Sequence, residues 1–199
     1  MLFNSRSKTL IVMLLALSLI TTGCSAQWIK VALADLPILV QMALNVGNLV
    51  TTLQSGKQLN AADAEAIQNI SNQAARDLNL LQSLYNEYQS HPGGTALQKI
   101  QNAIGDINQN LPALLQAVHI SDPALSARVT AAVNLMLSTV NGFAALIPQP
   151  SGAFAAQKVV RKATPAPTPA DLKRQWNEQV CGASGNSALE SARSSCEVK

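Results

Sequence analysis

The feature that most constrains this chain is a repeated three- and four-residue spacing of apolar side chains. It is clearest at Ile67, Ile70, Ala74, Leu78, Leu81, Leu84 or Tyr85, and Tyr88. That spacing keeps one face of an α-helix apolar over about three heptads. The opposite face carries Gln68, Asn72, Arg76, Asn79, Gln82, Asn86 and Gln89, which is polar but little charged. Asn60-Ala61-Ala62-Asp63 resembles a capping box at its start, and His91-Pro92-Gly93-Gly94 breaks it. The spacing predicts a helix over 61–89.

Three further segments repeat the pattern. Asp35 before Leu36-Pro37 has the chemistry of an N-cap followed by a first-turn proline. The expected first helix is therefore 36–54, ended by Ser55-Gly56. Ile38, Met42, Leu44 and Leu49 make it apolar nearly all round, so it should be the most buried helix or hide a face against a partner. Thr95-Ala96-Leu97-Gln98 is a capping-box pattern, and Leu97, Ile100, Ile104, Ile107, Leu111, Leu114 and Val118 form the next stripe. A helix over 96–118 is expected, bent near Asn110 because Pro112 removes one backbone bond. Ser121-Asp122-Pro123 opens the fourth, with Leu125, Val129, Val133, Met136, Val140, Phe143 and Ile147 on its stripe, and Pro148 ends it. Aromatics are only 4% of the residues, against 48% apolar residues in all, which disfavours strands. Short loops between amphipathic segments predict an all-α, up-down-up-down antiparallel four-helix bundle over 35–148.

The N-terminus has a different logic. Arg6 and Lys8 precede Thr9 to Ile20, twelve nearly all apolar residues without charge. That is short of the roughly 20 residues that span a bilayer, and it has the length of a signal-peptide core. Thr21-Thr22-Gly23-Cys24 follows. A small residue before cysteine at this point resembles the lipobox of bacterial lipoproteins, with Thr21 where that class prefers an aliphatic residue. The resemblance covers residues 1–24 and implies cleavage before Cys24, with diacylglycerol on its thiol. Residues 1–23 are then a signal peptide and 24–34 a lipid-anchored lead-in that either begins the first helix or lies near the membrane surface; Trp28 suits a membrane interface, a core or a simple surface position equally. With Ser25 after the cysteine, the resemblance implies outer-membrane delivery if the host is Gram-negative. Two other outcomes stay open: ordinary cleavage after Ala26 or Ala34, and an uncleaved anchor.

With the signal gone, 176 residues remain, enough for one domain with a real core. If Cys24 carries lipid, Cys181 and Cys196 form an even pair, expected to be a disulfide in an oxidising compartment. The 15-residue loop it closes would contribute about 3 kcal/mol in the chain-entropy model. Before it, 149–170 holds Pro-Ser-Gly and Thr-Pro-Ala-Pro-Thr-Pro, the composition of a semi-extended linker. Residues 171–199 are expected to be a short helical tail capped by Asp171, bearing Leu172, Trp176 and Val180, and either mobile or docked on the bundle.

Reactive chemistry is sparse. His91 and His119 fall in loops at opposite ends of an antiparallel bundle, so they cannot share a metal or haem. Cys-x-x-Cys-His, Glu-x-x-His, phosphate-loop and Gly-x-Ser-x-Gly patterns are absent. No catalytic residue, metal or cofactor is expected. Gln27 to Ile147 holds five basic and seven acidic residues, and Pro148 to Lys199 seven basic and four acidic. Neither balance supplies the dense basic face that nucleic acid requires. Lys158, Arg161 and Lys162 could touch an anionic surface, though three charges also suit a solvated linker. The expectation is a lipid-anchored cell-envelope protein with a binding or scaffolding role, held to the membrane by Cys24 and partnered by another envelope protein. The alternatives are a carrier of a small apolar ligand between the helices and a secreted helical factor.

Overall fold

A computed structural model of the chain describes residues 27–55, 59–147, 167–182, 190 and 192–198. The signal segment, Cys24 and most of the linker, with Lys158, Arg161 and Lys162, lie outside the described residues. Four long helices form the body: α1 (Gln27–Ser55), α2 (Ala61–Ser90), α3 (Gly94–Ala117) and α4 (Pro123–Leu146). Among the described residues of the tail are two short ones, α5 (Pro169–Gln179) and α6 (Arg193–Cys196). No strand occurs among the described residues.

The bundle is up-down-up-down and antiparallel, as the short loops between the helices predict. Helix α1 packs on α2 and α4, and α3 packs on α2 and α4. Contacts along α1 and α2 run in opposite directions: Trp28 meets Tyr85 and Tyr88, while Ala43 meets Ser71. Ile67, Ile70, Ala74, Leu78, Leu81 and Tyr85 of the α2 stripe are buried, as are Ile100, Ile104, Ile107 and Leu111 of α3. Leu125, Val129, Val133, Met136, Val140 and Phe143 of α4 complete the core.

Helix ends follow local chemistry, with three corrections. Asn60 caps α2 by accepting from the Asp63 backbone N–H at 2.8 Å, and Asp122 caps α4 by accepting from that of Leu125 at 2.8 Å. Helix α1 begins at Gln27, nine residues before the expected start, and runs through Pro37. Asp35 is therefore inside the helix rather than its cap, and residues 27–34 of the lead-in belong to the bundle, with Trp28, Ile29 and Ala32 buried. Burial of those three side chains outweighs the backbone bond lost at Pro37. At α3 the Thr95 capping box does not form: Gly93 is the cap, without a side-chain bond, and the helix continues through Pro112. In the tail, Thr168 caps α5 and Asp171 is the reciprocal partner of a capping box, so the helix starts at Pro169 inside the expected linker.

Helices α1 and α2 approach closely. A Cβ added at Gly47 would stand 2.8 Å from Ser71 Oγ, whose hydroxyl donates to the Ala43 carbonyl at 2.7 Å. Gly105 and Gly142 have open space instead. Replacing Gly47 with Leu should destabilise the bundle by roughly 1–3 kcal/mol through overpacking. Gly105→Ala should stabilise it by roughly 0.5–1 kcal/mol, since glycine inside a helix costs chain entropy. Urea unfolding of the two variants beside wild type measures both.

Candidate functional site

Three groups of residues have chemistry that burial or pairing singles out: the tail clamp, the Asp35 region of α1, and the loop histidines.

The tail is docked. Leu172, Trp176, Cys181 and Ala192 are fully buried, and Val180, Cys196 and Val198 nearly so. Helix α5 lies on α1 and α4, and α6 on α1. The sulfur atoms of Cys181 and Cys196 stand at bonding distance, 2.00 Å, with Cα atoms 5.7 Å apart. Three further bonds stitch the two limbs. The Trp176 indole N–H donates to the Cys196 carbonyl at 2.8 Å. The Asn177 side chain donates to the Val198 carbonyl at 3.2 Å and accepts from the Val198 N–H at 3.0 Å.

Two polar side chains of the bundle hold this unit. Asn45, buried on α1, donates to the Cys196 carbonyl at 3.0 Å and the Glu197 carbonyl at 3.3 Å. Arg128, buried on α4, donates to the Gly182 carbonyl at 2.8 Å and lies 4.0 Å from Glu190. Burial lowers the Arg128 pKa, partly offset by Glu190. Arg128 keeps one buried nitrogen, Nη1, without a hydrogen-bond partner among the described residues. At their junction Asn45, Leu49, Val129 and Trp176 line a void of only about 10 Å³, so the contact is tightly packed. Cys181→Ser combined with Cys196→Ser should loosen the tail by roughly 2–4 kcal/mol. The resulting release of α5 should speed tryptic cleavage at Lys173 and Arg174 by about one and a half to three orders of magnitude, on the order expected from that free energy.

The second group lies in the first half of α1. Asp35 has no exposed surface, and neither carboxylate oxygen has a hydrogen-bond partner among the described residues. Two turns earlier, Trp28 packs its ring 5.5 Å from those of Tyr85 and Tyr88, and Tyr85 lies 6.3 Å from Phe143. The Trp28 indole nitrogen and the Tyr85 hydroxyl are also buried without partners. Burial raises the Tyr85 pKa well above its ordinary value and lifts Asp35 from 3.8 to about 6. Trp28 thus belongs to the core rather than to a membrane interface.

The folded chain holds a proton on Asp35 that the unfolded chain releases between pH 3.8 and about 6. Stability therefore falls as pH rises through this interval and is level above it. Asp35→Asn, which keeps the shape without the charge, should remove that dependence and stabilise the fold at pH 8 by up to about 3 kcal/mol. Unfolding midpoints from pH 4 to pH 8 test this.

The remaining candidates stay apart. His91 follows α2 and His119 follows α3, at opposite ends of the bundle. His119 borders an open surface groove with Ser121, Ser126, Thr130 and Asn134, and no second ionisable side chain lines it. Asp63 is structural: it accepts from the Asn60 side chain at 2.9 Å and from the Ser121 N–H at 3.0 Å, tying the start of α2 to the loop before α4. Among the described residues no group of three His, Cys, Asp or Glu side chains could hold a metal ion. Helices α1 and α4 are long and apolar enough to cross a membrane, yet both pack in this core. Sequence reasoning missed Arg128 and Asn45; each is a polar residue interrupting an apolar helix pattern, and that interruption is the signal that could have found them.

No family model matches the chain, and neither the curated proteins nor the solved structures include one similar to it.

Proposed function

We propose that this chain is a lipid-anchored protein of the bacterial cell envelope that acts by binding or scaffolding rather than by catalysis. The observation that carries the reading is the Cys181–Cys196 pair at bonding distance. It leaves Cys24, at the end of the apolar N-terminal stretch, as the remaining cysteine. A paired set of cysteines suits an oxidising compartment outside the cytoplasm, and a leftover thiol behind a small residue suits acylation. Several acyl chains, at ~0.8 kcal/mol per buried methylene, would hold the chain firmly at a membrane.

The binding role rests on the build of the body. Asn45, Asp63 and Arg128 are committed to structural contacts, so these three side chains are not free to act on a substrate. The outer faces of α2 and α3 are rich in Asn and Gln, which suits contact with an envelope protein. The carrier reading loses support from the α1–α2 contact, where Gly47 and Ser71 leave no room for a ligand between those helices.

Intact mass and membrane partition of the full-length product, wild type beside Cys24→Ala, test the anchor. Wild type should carry acyl mass and sediment with membranes, and the variant should do neither. An unacylated, soluble wild type beginning after Ala26 or Ala34 would overturn the reading.

A further inference from the structure

We infer that residues 27–36 of α1 form a proton-controlled arm, packed on the bundle while Asp35 is neutral and released about Pro37 when Asp35 is ionised. This device belongs to the helical body and does not depend on the anchor.

Two independent features meet within one helical turn. The first is Asp35 itself, fully buried on a helix whose neighbouring positions Ala32, Leu36 and Leu39 are also fully buried. Its two oxygens have no hydrogen-bond partner among the described residues. A neutral carboxyl group is tolerable there, whereas a carboxylate without partners is strongly disfavoured. The second is Pro37, exposed and two residues further on. Proline has no N–H to give the Leu33 carbonyl, and its ring crowds that carbonyl. The helix is weakest at the point where the buried acid sits.

The arm is also the less satisfied part of α1. Its Trp28 indole nitrogen is buried without a partner, while Asn45 in the following half makes two bonds to the tail. Segments with fewer compensating contacts open at lower free energy than the rest of a fold. What holds the arm is apolar: Trp28 against Tyr85 and Tyr88, and the buried Ile29 and Ala32. That contact can be lost without unfolding α2, α3 or α4, because only the first turns of α1 supply it.

No charge on the packed elements answers Asp35. The antiparallel register between the Trp28–Tyr85 and Ala43–Ser71 contacts sets Asp35 level with the turn around Leu78 and Leu81. The titratable groups nearest that level on α2 are Asp77 and Tyr85. Helix α4 carries none between Arg128 and its end. Helix α5 carries Asp171, Lys173, Arg174 and Glu178, α6 carries Arg193, and α1 itself has the exposed Lys30. Burial is the cause of the raised Asp35 pKa.

Hydrogen exchange of the full chain, read by peptide mass spectrometry at pH 5 and pH 8 and corrected for intrinsic rates, tests the arm. Amides of residues 28–36 should be far less protected than those of 39–54, and should lose about tenfold more protection at pH 8. Asp35→Asn should hold the arm closed at both pH values. Pro37→Ala, which restores the missing helical bond, should slow arm opening several-fold while keeping its pH dependence. Equal protection along all of α1, an arm indifferent to pH, or a pH response retained in Asp35→Asn would each overturn the inference. Opening unchanged in Pro37→Ala would overturn the hinge.

Discussion

Burial of α1 is the constraint on which the rest of the structure depends. The helix is apolar around most of its circumference, so a single neighbour cannot cover it. Helix α2 covers one side, α4 a second, and the α5–α6 tail a third. Leu36, Leu39, Met42 and Ala43 are fully buried as a result. Each fully buried Leu or Met side chain contributes about 1.5–3 kcal/mol, so the order of helices around α1 follows from the need to cover it. The close approach at Gly47 and Ser71 belongs to the same logic, because a small residue lets α2 come near enough to exclude water.

The tail has too little core to be ordered alone. It is ordered because its two limbs are joined to each other and to the bundle by different means. The cysteine pair and the Trp176–Cys196 and Asn177–Val198 bonds join the limbs, while Asn45 and Arg128 hold their carbonyl groups to α1 and α4. The covalent link limits how far the short α6 can stray, and the buried donors reward one placement. A polar side chain buried in an apolar helix is costly unless bonded, so Asn45 and Arg128 favour the docked tail over a bare groove.

The opposite half of α1 departs from this economy. Asp35, Trp28 and Tyr85 bury polar atoms that no described residue bonds. Departures of this kind are uncommon in folded proteins. Here they coincide with a proline inside a helix. The two halves of α1 thus differ in kind, one clamped by satisfied polar contacts and the other held by apolar packing around an unpaired acid. An envelope protein anchored at Cys24 would place the loosely held half nearest its membrane attachment.

Local chemistry made much of this legible in advance. Three-four spacing located four helices, short loops gave their antiparallel order, and Asn60 and Asp122 marked two starts, because periodicity, loops and caps act within a few residues. Setting Cys24 aside, the cysteine count pointed to Cys181 and Cys196 as a pair. Other features were decided only by tertiary structure. Asp35-Leu36-Pro37 reads as a helix start, yet packing of Trp28 against Tyr85 and Tyr88 extends the helix through it. Thr95 has the pattern of a cap and is not used, and Asp171 yields the cap to Thr168. The docking of the tail, and the roles of Asn45 and Arg128, depend on carbonyl groups more than fifty residues away in the chain. Sequence determines what lies within a turn or two of helix; contacts between distant segments are set by which surfaces remain apolar once the helices exist, and that only the folded chain decides.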